Sequence, residues 1–321
     1  MYYVSEQAVQ DCVTQAQVTE AISNVFSNLA NQSARNFPVV RETLGHANAV
    51  FGFKSGFDRD QLNLGVKAGG LWPGNRLRGM ANHQSTIVLF DTESGAPRAL
   101  VRGTYLTALR TAAASALSVR YLARQDVTTL GIIGTGGQAQ WQLRAALAER
   151  TFAKVLISDR NPGAAHALVD QLSEIKVTCE VVPVEALVRA SDVLITVTPS
   201  RAPLFEHDWV RSGTHLACMG TDTIGKQEIP ITLVASASLF GDQPEQAVTL
   251  GECQHAAKSG AVDTKTITTL GQVITTQHPG RQDHDEITLF DSTGMGLQDL
   301  AAAQLALEQA QQAGLVIELP D

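Results

Sequence analysis

The sequence predicts an α/β protein with two domains, one built on a doubly wound parallel sheet and the other a discontinuous α+β domain. From Thr107 onward, helical and strand-like runs alternate, a pattern typical of a parallel sheet with helices on both faces. Before Thr107, strand-like runs follow one another after a single helical stretch. The length of 321 residues matches about two domains of ordinary size.

The first domain is predicted to begin with a helical stretch, because apolar residues recur at helical spacing from Ser5 to Leu29. Turn residues then separate the strand-like runs VVRETL, AVFGFK, LNLGVKAGG and STIVLFD, which predict an antiparallel or mixed sheet. The amphipathic helix LQDLAAAQLALEQAQQAGL is expected to return to this domain. The predicted boundaries are residues 1–118 plus 299–321 for this domain and 119–298 for the other.

The second domain is predicted to follow the Ala- and Leu-rich helix LTALRTAAASALSVRYLA. Helices are expected near residues 138–150, 162–175 and 184–189. The apolar runs among them are LGIIG, KVLISD, TCEVV, DVLITVT, HLACMG, SLFGD and ITLFD. Short apolar runs that alternate with helices predict a parallel, doubly wound sheet.

Composition excludes several classes of function. Lys plus Arg number 24 against 32 Asp plus Glu, a formal charge of −8, so a basic surface for nucleic acid is not expected. The four cysteines are too scattered for a zinc site or a disulfide framework. The N-terminus lacks a basic segment followed by a long apolar run, and no apolar stretch approaches the ~20 residues of a membrane span. We expect a cytoplasmic protein with no metal and no membrane or nucleic-acid partner.

The segment from Gly134 to Ala139, GTGGQA, fits the pattern G-x-G-x-x-G/A between a predicted strand and a predicted helix. Gly134 would permit the tight turn, and Gly136 would let the backbone approach a pyrophosphate. Ala139 would allow close packing of helix on strand, while Gly137 and Gln138 complete the turn. A helix N-terminus offers unpaired N–H groups to phosphates. The motif therefore predicts a Rossmann-type dinucleotide-binding domain.

Asp159 ends the run KVLISD, 20 residues after Ala139, where a carboxylate can accept hydrogen bonds from the adenosine ribose. This position favours NAD over NADP. Arg160 leaves NADP open, because a guanidinium beside the ribose could hold a 2′-phosphate.

Asp222 follows the apolar run HLACMG, and ligands of parallel sheets bind beyond the carboxyl ends of the strands. A carboxylate there could stabilise a cationic iminium and exchange a proton with a substrate nitrogen. The alternative is that Asp222 caps the turn TDTIGKQE.

Three cations are candidates for binding a carboxylate. Lys67 ends the run LNLGVK before small residues, Arg41 lies in NFPVVRE, and Arg110 precedes a very apolar helical run. Arg can hold a carboxylate with two parallel hydrogen bonds, which suits an α-amino or α-imino acid. The alternative for each is a solvated or structurally paired cation.

The polar residues His83, Gln84 and Ser85 precede the run TIVLFD, and Lys54 lies in GFKSGFD. These residues could contact the far end of a substrate, although a lone His is more often structural. The other histidines show no pattern with Asp and Ser, and no G-x-S-x-G turn is present, so hydrolase chemistry is unsupported.

Seven strings in their order resemble the ornithine cyclodeaminase/mu-crystallin family of NAD(P)-dependent enzymes. They are LGVKAGG, STIVLFDTESGAP, LTALRTAAASALSVRYLA, LGIIGTGGQA, MGTDTIGKQEI, LGECQHA and FDSTGMGLQD. The resemblance covers nearly the whole chain. It implies a Rossmann domain joined to a discontinuous substrate and dimerisation domain, and a homodimer.

The resemblance also implies roles for residues. Arg41, Lys67 and Arg110 would hold the substrate carboxylate, and Asp222 would be the acid/base at nitrogen, with Lys67 as the second catalytic residue. The implied cofactor contacts beyond the glycine turn and Asp159 are Thr111, Thr198, Met219, Ser292 and Gly294.

Members of the family differ in reaction, and the strings NFPVVRETLGHANAVFGFKSGFD and NHQSTIVLFD look most like those that reduce iminosuccinate to L-aspartate. Such a substrate has two carboxylates, so His83, Gln84, Ser85 and Lys54 become the expected second anchor. The alternatives are an ornithine cyclodeaminase, a Δ1-pyrroline-2-carboxylate reductase or an alanine dehydrogenase. A cofactor-dependent binding protein like mu-crystallin is the alternative of another class.

Overall fold

The computed structural model describes residues 1–320. Two compact units divide the chain: Met1–Arg110 together with the segment from Met295 onward, and Thr111–Gly294. The sequence placed these divisions after residues 118 and 298. The first division falls inside one uninterrupted helix, Thr104–Leu122, and no turn residue in that helix could have marked it.

The strands are β1 (Tyr2–Val4), β2 (Ala34–Asn36), β3 (Val40–Thr43), β4 (Val50–Asp58), β5 (Asn63–Leu71), β6 (His83–Phe90), β7 (Pro97–Arg102), β8 (Thr129–Ile133), β9 (Lys154–Ser158), β10 (Thr178–Val181), β11 (Val193–Thr196), β12 (His215–Cys218), β13 (Ser238–Gly241), β14 (Ile267–Thr269), β15 (Thr288–Asp291) and β16 (Ile317–Glu318). The helices are α1 (Glu6–Cys12), α2 (Gln15–Ala30), α3 (Thr104–Leu122), α4 (Ala139–Glu149), α5 (Pro162–Gln171), α6 (Val184–Ala190), α7 (Ile231–Ser236), α8 (Pro244–Ala247), α9 (Gln254–Lys258), α10 (Leu270–Ile274) and α11 (Gly296–Gln312).

The first unit is built on a mixed sheet in the order β16-β1-β7-β6-β5-β4-β2, with β3 also paired to β4. All its neighbours are antiparallel except β1 and β7. Helix α11 packs closely on one face, because a Cβ added to Gly296 would lie 2.6 Å from the backbone of Ser55 in β4. The C-terminal helix therefore belongs to the same unit as the N-terminal strands.

The first helical stretch differs from its sequence pattern. Apolar spacing alone suggested one helix, but the chain breaks between α1 and α2 at Val13 and Thr14. Thr14 is the N-cap of α2 and forms a reciprocal capping box with Gln17. A Thr with Gln three residues later is a helix start signal, and here it outweighs the apolar periodicity.

The second unit is built on an all-parallel sheet in the order β10-β9-β8-β11-β12-β15-β13-β14. Its central strands are buried along their whole length, as in β8, β11, β12 and β15. The strand order reverses between β8 and β11, which is where ligands bind in sheets of this type. The predicted Rossmann-type α/β fold is confirmed.

Candidate active site

Two groups of candidate residues occur, one in each unit. In the first unit, Arg41 lies opposite Gly52 of β4, Lys54 lies opposite Lys67, and His83 lies opposite Leu71 of β5. Paired residues of antiparallel strands share a face, and side chains alternate along each strand. Arg41, Lys54, Lys67 and His83 therefore share one face of the sheet.

That face is the one on which α11 packs, because a Cβ on Gly56, two residues after Lys54, would meet Leu297 of α11 at 2.9 Å. Helix α11 brings Asp299 to the cations. The Lys67 Nζ lies 2.8 Å from Asp299 Oδ2, and Arg110 Nε donates to Asp299 Oδ1 at 2.9 Å. The side chains of Lys67 and Arg110 are each 7% exposed and that of Asp299 is 1% exposed. Lys67, Arg110 and Asp299 are called the ion triad below.

Burial and charge set the protonation of this group. Burial, assisted by the charges of Arg110 and Lys54, lowers the pKa of Lys67 to about 7, and Asp299 opposes that shift. Burial, assisted by Lys67 and Arg110, lowers the pKa of His83 to about 3, so His83 is neutral at physiological pH. Burial alone would raise the pKa of Asp299, but Arg110 and Lys67 lower it. Asp299 is therefore ionised.

The expected second anchor divides between the two faces of the sheet. Ser85 shares the face of His83 and lies buried, with its Oγ 3.4 Å from Thr107 Oγ1. Gln84 points to the opposite face by strand alternation, and its amide donates to the Ala81 carbonyl at 2.9 Å. The structure does not bring Gln84 together with the cations. Of the four residues predicted for the far end of the substrate, His83, Ser85 and Lys54 lie on the same face as Arg41 and Lys67.

In the second unit, the glycine turn lies at the carboxyl end of β8. Gly134 has φ +104°, and a Cβ there would lie 2.7 Å from the Val197 carbonyl oxygen, so only glycine fits. Apart from the glycine itself and its neighbours in the chain, no heavy atom of residues 1–320 lies within 4 Å of a Cβ built on Gly136 or Gly137, so their outer side is open. Within the same residues, the side chain of Gln138, the N-cap of α4, makes no capping hydrogen bond. An open turn before a helix N-terminus suits a pyrophosphate.

Asp159 follows β9 beside this turn. Its Oδ2 accepts hydrogen bonds from the backbone N–H and the hydroxyl of Thr135, both at 2.9 Å, and its Oδ1 accepts from the Asn161 N–H at 2.8 Å. The carboxylate is thus fixed to the glycine turn, whereas the neighbouring Arg160 is exposed.

The remaining predicted residues of this unit follow the carboxyl ends of neighbouring parallel strands. Thr198 follows β11, Met219 follows β12, and Ser292 and Gly294 follow β15, while Thr111 lies on α3. Ser292 and Gly294 are held by Asp242 Oδ2, which accepts from the Ser292 hydroxyl at 3.0 Å and the Gly294 N–H at 2.7 Å.

Asp222 lies at the same edge, four residues after β12. Its Oδ1 is 2.8 Å from Lys226 Nζ and accepts from the Thr223 hydroxyl at 3.1 Å, and its side chain is 29% exposed. Lys226 also donates to the Gly220 carbonyl at 3.0 Å. Sequence reasoning missed Lys226, because the pairing of residues four apart is a signal on helices and this pair lies in a turn.

Sequence reasoning also missed two buried carboxylates. Glu228 accepts from the Thr198 N–H at 2.6 Å, the Gly220 N–H at 3.0 Å and the Thr196 hydroxyl at 2.9 Å. It therefore joins the loop after β11 to the loop after β12. Burial and the neighbouring Glu252 raise the pKa of Glu228 to about 7.

Glu252 supports the loop after β12 as well. It accepts from the Thr221 hydroxyl at 2.5 Å, from the Glu228 N–H at 2.9 Å and from the Ile229 N–H at 2.7 Å. Burial raises its pKa as well. Thr221 precedes Asp222, so Glu252 fixes the start of the loop that carries Asp222.

The part of the chain that the structure describes contains no group of three His, Cys, Asp or Glu that could hold a metal ion. Within it, every helix is too short or too polar to cross a lipid bilayer.

Comparisons with known proteins give consistent results. The profile of the ornithine cyclodeaminase/mu-crystallin family matches residues 3–314. The chain is 45% identical over 319 residues to the iminosuccinate reductase of Paracoccus denitrificans, covering 99% of both chains. It is 37% identical over 239 residues to the alanine dehydrogenase of Archaeoglobus fulgidus, covering 74% of both.

Two solved structures share the whole fold. The crystal structure of the Paracoccus denitrificans iminosuccinate reductase in complex with NAD+ superposes with a TM-score of 0.95 at 44% identity, covering 100% of this chain and 99% of that one. The Thermococcus litoralis Δ1-pyrroline-2-carboxylate reductase in complex with NADH and L-proline has a TM-score of 0.95 at 30% identity, covering 99% and 100%.

Proposed function

We propose, from the premise that the chain belongs to the ornithine cyclodeaminase/mu-crystallin family, that it is an NADH-dependent reductase of iminosuccinate that forms L-aspartate. The observation that carries this proposal is that Arg41, Lys54 and Lys67 lie on one face of the sheet and that Arg110 of α3 shares Asp299 with Lys67. Lys67 and Arg110 share the one carboxylate of Asp299 and keep N–H donors for a further anion, and Arg41 and Lys54 lie on the same face of the sheet, which suits a substrate with two carboxylates. The 45% identity to an iminosuccinate reductase supports the same substrate.

The residues of the second unit fit NAD. The open turn at Gly136 and Gly137 and the N-terminus of α4 would hold the pyrophosphate, and Asp159 would accept from the adenosine ribose. The fixed carboxylate of Asp159 would repel a 2′-phosphate, so NAD is favoured over NADP. When bound, the reduced nicotinamide supplies the hydride that the imine carbon accepts.

The chain's own residues bind the substrate and move its proton. Arg110 and Arg41, with Lys67, hold the α-carboxylate, and Lys54, His83 and Ser85 meet the second carboxylate. Because His83 is neutral, it serves as a hydrogen-bond donor and not as a cation. Asp222 stabilises the protonated imine nitrogen, which makes its carbon a good hydride acceptor. Lys67, with a pKa of about 7, can exchange a proton at neutral pH.

The test is a substrate screen that follows NADH oxidation. Oxaloacetate plus ammonia, which form iminosuccinate, should give the highest kcat/KM, with L-aspartate as product. Pyruvate with ammonia or methylamine, and Δ1-pyrroline-2-carboxylate, should be poorer. A preference for the cyclic imine would favour a ketimine reductase, and release of ammonia from ornithine without net NADH change would favour a cyclodeaminase. Cofactor binding without turnover of any of these would favour a binding protein.

We also propose that the protein is a homodimer. The sheet face opposite α11 carries Phe51, Phe53, Val66 and Val88, of which Phe53 is 43% exposed. An exposed apolar sheet face of this kind marks an interface. A dimer of the archaeal alanine dehydrogenase, with a TM-score of 0.94 and 30% identity over 100% of this chain and 99% of that one, supports a second copy as its partner.

Light scattering should give twice the chain mass for the wild type and a shift toward the monomer for Phe53→Glu. A monomeric wild type would contradict the dimer.

Cytoplasmic location remains part of the proposal, supported by four free cysteines. Cell fractionation tests it.

A further inference from the structure

We propose that Asp299 is a positioning residue of the reaction. It orients Arg110 for the substrate carboxylate, and it keeps Lys67 protonated, so that Lys67 can pair with a carboxylate or donate a proton. This inference rests on the proposed function. Neither the glycine turn nor the cation pattern pointed to Asp299, because an Asp in the first turn of a helix is ordinarily read as a partner of the helix dipole.

The two oxygens of the Asp299 carboxylate bind two different cations. Asp299 Oδ1 accepts from Arg110 Nε and Oδ2 pairs with Lys67 Nζ. Because the pairing with Arg110 uses Nε, the terminal edge formed by Nη1 and Nη2 is the one that can bind a substrate carboxylate with two parallel hydrogen bonds. Gln298 Oε1 accepts from Nη1 at 3.4 Å and steadies the same guanidinium.

Asp299 itself has a fixed position in the structure. The first turn of α11 is anchored at Gly296, which has no room for a Cβ against Ser55, and at Leu297, whose N–H donates to Asn36 Oδ1 at 3.1 Å. Residues buried on an anchored helix turn keep their rotamers, which a site needs for productive geometry. Asp299 therefore holds the two cations at a defined place on the sheet.

The charge of Asp299 acts on the protonation of Lys67. The charged and titratable groups on this face of the sheet or packed against it are Asp299 from α11, Arg110 from α3, Lys54 from β4, Arg41 from β3 and His83 from β6. Burial, Arg110 and Lys54 all lower the pKa of Lys67, and His83 is neutral, so Asp299 is the group that opposes this shift. Removal of its charge should lower the pKa of Lys67 further. Lys67 would then be mostly neutral at pH 7 and unable to donate a proton or pair with a carboxylate.

The test compares Asp299→Asn with the wild type in pH profiles of kcat/KM for imine reduction. Deprotonation of Lys67 should give the high-pH limb of the profile. In Asp299→Asn this limb should move to lower pH by about 1 to 3 pH units, the usual effect of one close opposite charge. Lys67→Arg should abolish that limb, because Arg does not deprotonate in this range. Glu308→Gln, which removes an exposed carboxylate from the same helix, is the matched control and should leave the profile unchanged.

A second readout is independent of turnover. NMR of the protein labelled with 13C-lysine, with the Lys67 signal assigned by its loss in Lys67→Arg, should give a titration near pH 7 in the wild type. The same signal should titrate lower in Asp299→Asn. If wild-type protein reduces no imine, the proposed function fails while this titration still decides the role of Asp299. An unchanged Lys67 titration in folded, NADH-binding Asp299→Asn overturns the inference.

Asp299→Glu covers the case in which the Asn variant does not fold. It keeps the charge and moves the carboxylate by one methylene, so the limb should stay within about one unit, while kcat/KM should fall roughly tenfold as Arg110 loses its orientation. Wild-type kcat/KM in folded Asp299→Glu contradicts the positioning role.

Discussion

In the first unit, buried Lys67 and Arg110 share the carboxylate of Asp299, whereas in the second unit buried Glu228 and Glu252 are surrounded by backbone N–H groups and hydroxyls. Cations paired with one shared anion retain donors for a further anionic ligand. Carboxylates that accept several backbone N–H groups fix the loops that supply them. The comparison separates a group suited to binding substrate from one suited to positioning loops.

The largest expected effect is at Asp222, which belongs to one of the loops fixed by the carboxylates. Asp222→Asn should lower kcat by about 10²-fold or more, because it removes the charge that stabilises the iminium and the group that exchanges a proton with its nitrogen. The NADH dissociation constant should stay close to that of the wild type. Steady-state kinetics with oxaloacetate plus ammonia and a fluorescence titration with NADH measure both. Nearly normal turnover would remove Asp222 from this role.

Arg110→Lys tests the ion triad itself. The variant keeps the charge beside Asp299 but loses the planar guanidinium, so KM for the imine should rise by about 10²-fold while the NADH dissociation constant stays unchanged. Arg78→Lys, in the first unit outside this group, is the matched control. A KM that stays at the wild-type value would show that the substrate carboxylate binds elsewhere.

Glu228→Gln tests the loop carboxylates. Gln has one acceptor oxygen where Glu228 has two, so an amide NH2 group would face the N–H of Thr198 or Gly220; NADH binding should weaken by about tenfold and the free energy of unfolding should fall by about 1–3 kcal/mol. Calorimetry of NADH binding and urea unfolding measure the two effects.

The same variant should change the pH dependence of stability. Burial and Glu252 raise the pKa of Glu228 to about 7, so the folded protein binds this proton more tightly than the unfolded chain. This group therefore makes stability fall as the pH rises from about 4.5 to 7, and Glu228→Gln should lack that contribution. An identical slope in both proteins would contradict the assigned direction.

The smallest expected effects are those of substitutions at His83 and Gln84, neighbours in β6 whose side chains lie on opposite faces of the sheet. His83→Ala should raise KM for the dicarboxylic imine by roughly tenfold, and by less for imines derived from pyruvate, because one hydrogen bond to a carboxylate is lost. Gln84→Ala, on the opposite face, should change either KM by less than about twofold. Equal changes for both substrates in His83→Ala would remove the second anchor.

The sequence predicted the parts of the molecule whose signals are contiguous. The glycine turn, Asp159 and the alternating runs of the parallel sheet needed only local patterns, and the structure has them at those positions. The role of Asp299 was not predicted, because Asp299 is 189 residues from Arg110 in the sequence and no local pattern indicates a pairing over such a distance. The roles of Glu228 and Glu252 were not predicted, because acidic residues are ordinarily exposed and only the order of the strands shows which loops these two carboxylates contact.

Gln84 shows a different limit. Three consecutive polar residues were expected to act together, but neighbours in a strand point to opposite faces. The position of β6 in the sheet, which the sequence left open, decides which of them face α11. The domain division inside α3 was hidden for a related reason, since a continuous helix carries no boundary signal.

A crystal structure of the protein with NAD+ and succinate, a dicarboxylate that lacks the reactive nitrogen, tests the proposed substrate site most directly. One carboxylate should lie within hydrogen-bonding distance of Arg110 and Lys67, with Asp299 still paired to both, and the other carboxylate should lie near Lys54, His83 or Ser85. Succinate bound away from Arg110 and Lys67, with those side chains occupied only by Asp299, would contradict the proposed site.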